Sequence, residues 1–304
     1  MRIIKIYLTI IVASLAATIG LLSLATTSSH SQSPNQKTDT AVKPTVLITD
    51  RAVSSTAPSL FATAATQNAA LRNELAWTFG SKQQHGWYLY DSLIAQLLRT
   101  SADATSTDFA AALAGWQKTA GLNPNGVLDE QSLMAIVTGW QSNRLKDHTP
   151  AQPSQLMTAP STDFFDPERL PELRQMTPET YAAYKRMVAA AIADPSLKLA
   201  HISNAELAPS ERFLKIVSAF RSAEYQEQLR RQSPNAGSAG LATHSPHFTG
   251  RALDLYVGGD PVDTKDGNRA TQVNTPVYKW LVRNAESFGF RPYFYEPWHW
   301  EYVK

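Results

Sequence analysis

Two short stretches near the C-terminus hold the residues best suited to chemistry. The first, THSPHFTGRALDLYV from Thr243 to Val257, sets His247 ahead of Asp254, with Gly250 between them. The second, EPWHWEY from Glu296 to Tyr302, sets Glu296 ahead of His299 and places Trp298 and Trp300 on either side of the histidine. On a strand through Ala252–Tyr256, alternation puts Asp254 on the face of Ala252 and Tyr256, with Leu253 and Leu255 opposite. A carboxylate turned inward among apolar neighbours is costly unless it is paired or bound to a metal. Gly250 would let the backbone turn tightly and bring the imidazole back toward that carboxylate. Glu296 and His299 are separated by an odd offset, so a regular strand would send them to opposite faces. Pro297 predicts a kink that could aim both at one centre.

Each stretch taken alone has a plain structural reading. The first could be a turn histidine followed by a salt-bridged acid, the second an aromatic core strand. Joined, two histidines and an aspartate supply three metal ligands and leave a fourth tetrahedral position for water, as a catalytic zinc requires. Glu296 is the extra carboxylate, placed to take a proton from that water. The two tryptophans would form a dry wall, which raises a carboxylate pKa and strengthens electrostatics at the site.

At this point the chain resembles a known family. SPHFTGRALD matches the Ser-x-His-x-x-Gly-x-Ala-x-Asp signature of the VanY-type D-alanyl-D-alanine carboxypeptidases, and EPWHW matches their terminal Glu-x-x-His. SAFRSAEYQ resembles their Ser-Gly-Tyr-Arg-Ser-x-x-x-Gln segment and stands upstream in the same order. The resemblance covers residues 166–304. It implies that His247, Asp254 and His299 bind one zinc ion per catalytic domain and that Glu296 is the general base. Arg221 matches the family's arginine after the first strand, where a guanidinium could hold a substrate carboxylate bidentately or stabilise an oxyanion. The bland alternative for Arg221 is a surface salt bridge. Ala219 and Phe220 stand where the family often has Gly and Tyr, which removes a tyrosine hydroxyl but keeps Ser222 and Gln226 as substrate-binding candidates. Ser245 matches the signature serine and is expected to orient a ligand or the substrate. His244 lies outside the signature and reads as a histidine behind the ligands or at the surface.

The implied reaction is hydrolysis of a peptide bond in peptidoglycan stem peptides, most simply release of the terminal D-alanine. The motifs do not separate this from a D,D- or L,D-endopeptidase acting on wall cross-links. A non-catalytic wall-binding protein on the same fold would typically lose a ligand or the base, and all four residues are present.

These residues must be positioned by the elements around them. Thr177 is a good N-cap with Pro178 at the first helical position, followed by a stripe of Tyr181, Tyr184, Val188 and Ile192. LKIVSAF (Leu214–Phe220) and ALDLYV read as strands, and SAEYQEQLRRQ as a helix. PVYKWLVRNAESFGF reads as a helix ended by Gly289, and RPYFYEPWHWEYV as aromatic, strand-like residues. Helices and strands mix without a βαβ rhythm, so the expected class is α+β, with a small, mainly antiparallel sheet flanked by helices.

Upstream, STDFAAALAGWQKTAGLNPNGVLDEQSLMAI carries helical spacing at Phe109, Ala112, Leu113, Trp116 and Gln117. Gly121 stops this helix, and Asp129 can cap a second one bearing Leu133, Ile136 and Val137. Gln117, Gly121–Leu122 and Gly126 resemble the second half of the three-helix peptidoglycan-binding module attached to wall hydrolases, which implies a small all-α module and contact with glycan strands. A helical spacer without ligand would show the same periodicity.

The expected organisation is a signal peptide or membrane anchor at 1–25, a flexible linker at 26–60, the helical module at 61–145, a linker at 146–165 and the catalytic domain at 166–304. The run Ile6–Ala25 has twenty residues and no charge. As a helix it would span ~30 Å, enough for a bilayer core. Arg2 and Lys5 ahead of it favour a cytoplasmic N-terminus, so the rest is expected to be exported: periplasmic or cell-surface, anchored or secreted. Membrane contact is expected through this segment only. With no cysteine, disulfides and a lipid-modified cysteine are excluded, and any metal site must use His, Asp or Glu. The net charge is +2 with Lys and Arg scattered among acids, so no nucleic-acid partner is expected.

Overall fold

Cap residues and apolar stripes dictate most of the helices. The computed structural model describes residues 61–232 and 245–304, all within a compact unit spanning Ser55–Lys304. The segment 1–25, the 26–60 linker and His244 lie outside the described residues.

The upstream part contains α1 (Ala62–Glu74), α2 (Asp91–Leu98), α3 (Thr107–Thr119) and α4 (Glu130–Ser142). Ser106 caps α3 by accepting from the Phe109 N–H at 3.2 Å, and Asp129 caps α4 by accepting from the Ser132 N–H at 2.8 Å. Phe109 and Leu113 on α3 pack inward, as do Leu133, Ile136 and Val137 on α4. Gln117 is buried and works as a staple. Its amide donates to the Val127 carbonyl at 2.9 Å and to Ser132 Oγ at 3.0 Å, and its oxygen accepts from the Gly126 N–H at 2.8 Å. The glutamine that carries the module resemblance therefore locks the α3–α4 turn. This region departs from the all-α expectation at one place. An antiparallel hairpin, β1 (Ala76–Phe79) and β2 (Lys82–His85), sits between α1 and α2. Its strands are too short to show alternation, and its turn uses positive φ at both Gly80 and Ser81, the geometry of a tight hairpin.

The proline-rich stretch 146–165 has little regular structure but is tied down. Ala151 N–H donates to the Phe248 carbonyl at 2.8 Å and Phe165 N–H to the Ile216 carbonyl at 3.0 Å. The two-residue strand β3 (Met157–Thr158) pairs with β4 (Gln175–Met176).

Helix α5 (Pro178–Ile192) begins at Thr177, whose hydroxyl accepts from the Thr180 N–H at 3.3 Å. Beyond the small hairpin β5 (His201–Ser203) and β6 (Glu206–Leu207) come β7 (Ile216–Ser218), α6 (Ala223–Gln232) and β8 (Ala252–Leu255). They are followed by α7 (Asp266–Val273), α8 (Pro276–Asn284), β9 (Phe290–Pro292) and β10 (His299–Tyr302). Thr275 caps α8, and Gly289 at φ 95° ends the short turn that follows it. The central sheet runs β7-β8-β10-β9 with every neighbour antiparallel. The fold class is thus α+β.

One buried cluster runs from Trp77 and Leu113 through Tyr184 and Met187 to Leu253, Leu281 and Trp300. Its seam is aromatic: Phe294, ahead of β10, lies 5.4 Å from the Tyr90 ring and 5.7 Å from the Trp140 ring. The upstream helices and the sheet therefore share one core. Among the described residues, no helix is long and apolar enough to cross a membrane.

Candidate metal centre

The sheet register builds half of the site. β8 and β10 pair so that Asp254 stands directly opposite His299, and Ser218 of β7 flanks Asp254 on its other side. Cross-strand partners on one face bring side chains within contact distance. His247 arrives from a single 3₁₀ turn, Pro246–Thr249, just before β8. Ser245 Oγ caps that turn by accepting from the His247 N–H at 3.3 Å. Gly250 ends it at φ 65°, where a Cβ would lie 2.6 Å from Leu156 and 3.1 Å from the Thr177 nitrogen. Only glycine fits both that conformation and that space.

The three side chains converge and are buried. Asp254 Oδ1 is 3.2 Å from His247 Nε2 and 2.9 Å from His299 Nδ1, and the two imidazole nitrogens are 3.2 Å apart. Each ring is oriented from behind. His247 Nδ1 lies 2.6 Å from the Ala219 carbonyl, which can only accept, so Nδ1 carries the hydrogen and Nε2 turns a lone pair to the centre. His299 Nε2 lies 3.2 Å from Glu301 Oε1, a carboxylate oxygen, so Nε2 carries a hydrogen and Nδ1 is the nitrogen turned to the centre. Three atoms able to ligate a cation thus meet at one point.

Electrostatics agree with this geometry. Burial, reinforced by the Arg221 charge, lowers the His247 pKa to about 4, so this ring is neutral and able to ligate. Burial also opposes charge on His299, but its hydrogen bonds to Asp254 and Glu301 prevail and raise it to about 9. That proton on Nδ1 occupies the place a cation would take. Burial works against the Asp254 carboxylate, yet the imidazoles and Arg221 hold it well below the usual range.

Glu296 sits beside this cluster in the turn between β9 and β10. The turn is closed by Tyr293 N–H donating to the His299 carbonyl at 3.0 Å and by His299 N–H donating to the Glu296 carbonyl at 2.9 Å. β10 starts only at His299, so strand alternation does not govern Glu296. Among the described residues no side chain or backbone group donates a hydrogen bond to its carboxyl. Burial raises its pKa to about 7, with Asp254 adding to the shift and His299 and Arg221 opposing it.

Arg221 is partly buried rather than at the surface, its side chain 11% exposed. Nη2 is 2.5 Å from Asp254 Oδ2, Nε donates to Ser218 Oγ at 3.0 Å and Nη1 approaches Gln226 Oε1 at 3.5 Å. The surface-salt-bridge alternative does not describe it. Ser222 Oγ accepts from the Tyr225 N–H at 3.1 Å at the start of α6. Gln226 is buried behind Arg221.

Two residues that sequence reasoning passed over complete the surroundings. Glu301 lies two residues after His299 on the same strand face, and that spacing was a readable signal. Arg144 donates to Glu301 from 157 residues away and had no such signal.

A small antiparallel sheet thus gathers two imidazoles and a carboxylate that could hold a metal ion, beside a buried glutamate. Residues 173–304 match the family model VanY, D-alanyl-D-alanine carboxypeptidase. Among solved structures, the LdcB LD-carboxypeptidase is similar at 22% identity, over 52% of this chain and 71% of that one, with a TM-score of 0.35. VanYB in complex with D-alanyl-D-alanine is similar at 21% identity, over 45% of this chain and 76% of that one, with a TM-score of 0.28. No curated protein matches.

Proposed function

We propose that the C-terminal domain is a zinc peptidase that removes the terminal D-alanine from peptidoglycan stem peptides outside the cytoplasm. The observation that carries this reading is the convergence of three oriented side chains able to ligate a metal, His247, Asp254 and His299, next to the buried carboxyl of Glu296. The family match over residues 173–304 supplies the substrate class. The uncharged run Ile6–Ala25 supports export.

The donor set fits the metal. Two imidazole nitrogens and one carboxylate, with no thiolate in the chain, suit a borderline dication and leave a position open. When bound, zinc supplies Lewis acidity, bringing the pKa of a coordinated water to about 7 and polarising the scissile carbonyl. The residues of the chain do the rest. Glu296 accepts the proton of the attacking water and returns it to the departing amine nitrogen. A carboxyl whose pKa lies near 7 is suited to both steps. Arg221 keeps Asp254 ionised and oriented, and would turn its remaining N–H groups to the substrate carboxylate or the developing oxyanion. Gln226 steadies Arg221, Ser222 fixes the start of α6, and Ser245 fixes the turn that carries His247. Tyr293, whose ring meets His299 edge-on at 5.9 Å, helps keep water out, whereas Trp300 stands opposite Leu253 on the other face of the sheet and packs against Tyr278, so the expected wall of two tryptophans does not form. Gln117 is consumed by the α3–α4 turn, so the proposed contact of the helical module with glycan strands would fall to other residues.

Incubation of the purified protein with defined muropeptides, followed by mass analysis, tests the bond. Release of free D-alanine from a stem pentapeptide is expected. Exclusive cleavage of cross-linked dimers, or release of a larger fragment, overturns the carboxypeptidase reading in favour of an endopeptidase.

The pH profile has a definite sign. Glu296 must be ionised to accept a proton, so kcat falls as pH drops through its pKa. A dication on the neighbouring ligands favours the carboxylate. The acid limb of the zinc-loaded enzyme is therefore expected below the metal-free value of about 7. An acid limb above 7 in steady-state kinetics contradicts the assignment.

A further inference from the structure

We infer that Glu301, clamped by Arg144 and the Leu145 N–H, is a positioning residue that fixes the His299 ring for metal binding and so ties the metal centre to the segment following α4. The inference rests on the reading of His299 as a metal ligand.

Glu301 is fully buried, at 0% exposure, and every contact of its carboxylate is a donor. Oε1 takes the His299 Nε2–H at 3.2 Å and the Arg144 Nε–H at 2.9 Å, with Arg144 Nη2 also paired to it. Oε2 takes the Leu145 N–H at 2.8 Å. The carboxylate therefore has no freedom to turn away from the imidazole. Arg144 also reaches the other wall of the same ring. Its guanidinium lies 3.9 Å from the Tyr293 centroid, and the Tyr293 ring meets His299 edge-on at 5.9 Å and 83°. Two residues just beyond α4, outside the segment that matches the family, thus hold the rear and the side of one candidate ligand.

The physical consequence follows from the imidazole itself. Its two nitrogens share one hydrogen when neutral, and the ring can present either one. An acceptor fixed at Nε2 selects the tautomer with its lone pair on Nδ1, sets the ring plane and makes Nδ1 a stronger donor to a cation. A simple tether between the helical region and the sheet would involve the same Arg144–Glu301 pair but would not change how tightly the centre holds zinc. Metal affinity is therefore the discriminating quantity.

The test compares full-length wild-type protein with Glu301→Gln and Arg144→Ala. The zinc dissociation constant is measured by competition with a chromophoric chelator, and the His299 ring nitrogens are followed by ¹⁵N NMR in the zinc-loaded protein. Glu301→Gln is expected to weaken zinc binding ~10–100-fold, the usual cost of losing a partner behind a ligand. It should also erase the single Nε2–H signature of His299. Arg144→Ala keeps the Leu145 donor and the carboxylate, and should weaken binding several-fold in the same direction. This more exposed position keeps the test usable if Glu301→Gln does not fold. Affinities within twofold of wild type in a folded variant, with the His299 tautomer unchanged, reduce Glu301 and Arg144 to a tether and overturn the inference. Wild-type protein that binds no zinc would instead overturn the metal reading beneath it, and that result comes from the wild-type titration alone.

Discussion

Glu296→Gln is expected to lower kcat by about 10²–10⁴-fold, the range general acid–base catalysis contributes, while the protein still binds zinc as tightly as the wild type. The substitution is close to isosteric, and the native carboxyl engages no donor among the described residues, so the turn at Tyr293–Trp298 has no contact to lose. The lost property is the ability to carry a proton. Burial raises the carboxyl pKa to about 7, which suits a group that changes protonation state during turnover. Steady-state kinetics on a stem pentapeptide and zinc competition on the same preparation give the two readouts. A variant with full activity would remove Glu296 from its role. A variant that lost zinc would make Glu296 a ligand instead.

His299→Ala is expected to cost more than about 100-fold in zinc affinity, since losing only a partner behind a ligand costs 10–100-fold. The substitution removes the Nδ1 donor opposite Asp254, leaving His247 and Asp254 as a two-point site. It also leaves Glu301 buried with one donor fewer. On this reading zinc would stabilise the wild type by binding the folded chain, and a thousandfold excess over Kd would be worth about 4 kcal/mol. Thermal unfolding should accordingly shift upward with zinc in the wild type and by no more than about a third as much in His299→Ala. An equal zinc-dependent shift in both proteins would show that the ion binds elsewhere.

The site was legible in the sequence where its chemistry is local. The Thr177–Pro178 start of α5 and the Asp129 cap of α4 could be read because a cap needs only its neighbours. Gly250 between His247 and Asp254 pointed to a tight turn, and it ends one at positive φ. Other features depend on partners distant in sequence. LKIVSAF reads as seven strand residues, yet β7 keeps only Ile216–Ser218: Leu214 takes a positive φ, and the Ala219 carbonyl is diverted to His247. Arg221 gave no hint that it would pair with Asp254, because the register that brings β7 beside β8 is a property of the sheet. The β1–β2 hairpin and α7 are too short for periodicity to mark them. Arg144 joins Glu301 only through the packing of the upstream helices on β10, where the aromatic seam of Tyr90, Trp140 and Phe294 sets the docking.

The central claim is that His247, Asp254 and His299 form a zinc centre on which turnover depends. It is tested most directly by titrating zinc into chelator-stripped protein while D-alanine release from a stem pentapeptide is recorded. The account predicts no release without metal, a linear rise, and saturation at one equivalent of zinc per chain. Release of D-alanine by the stripped protein, or activity indifferent to added zinc, would contradict it.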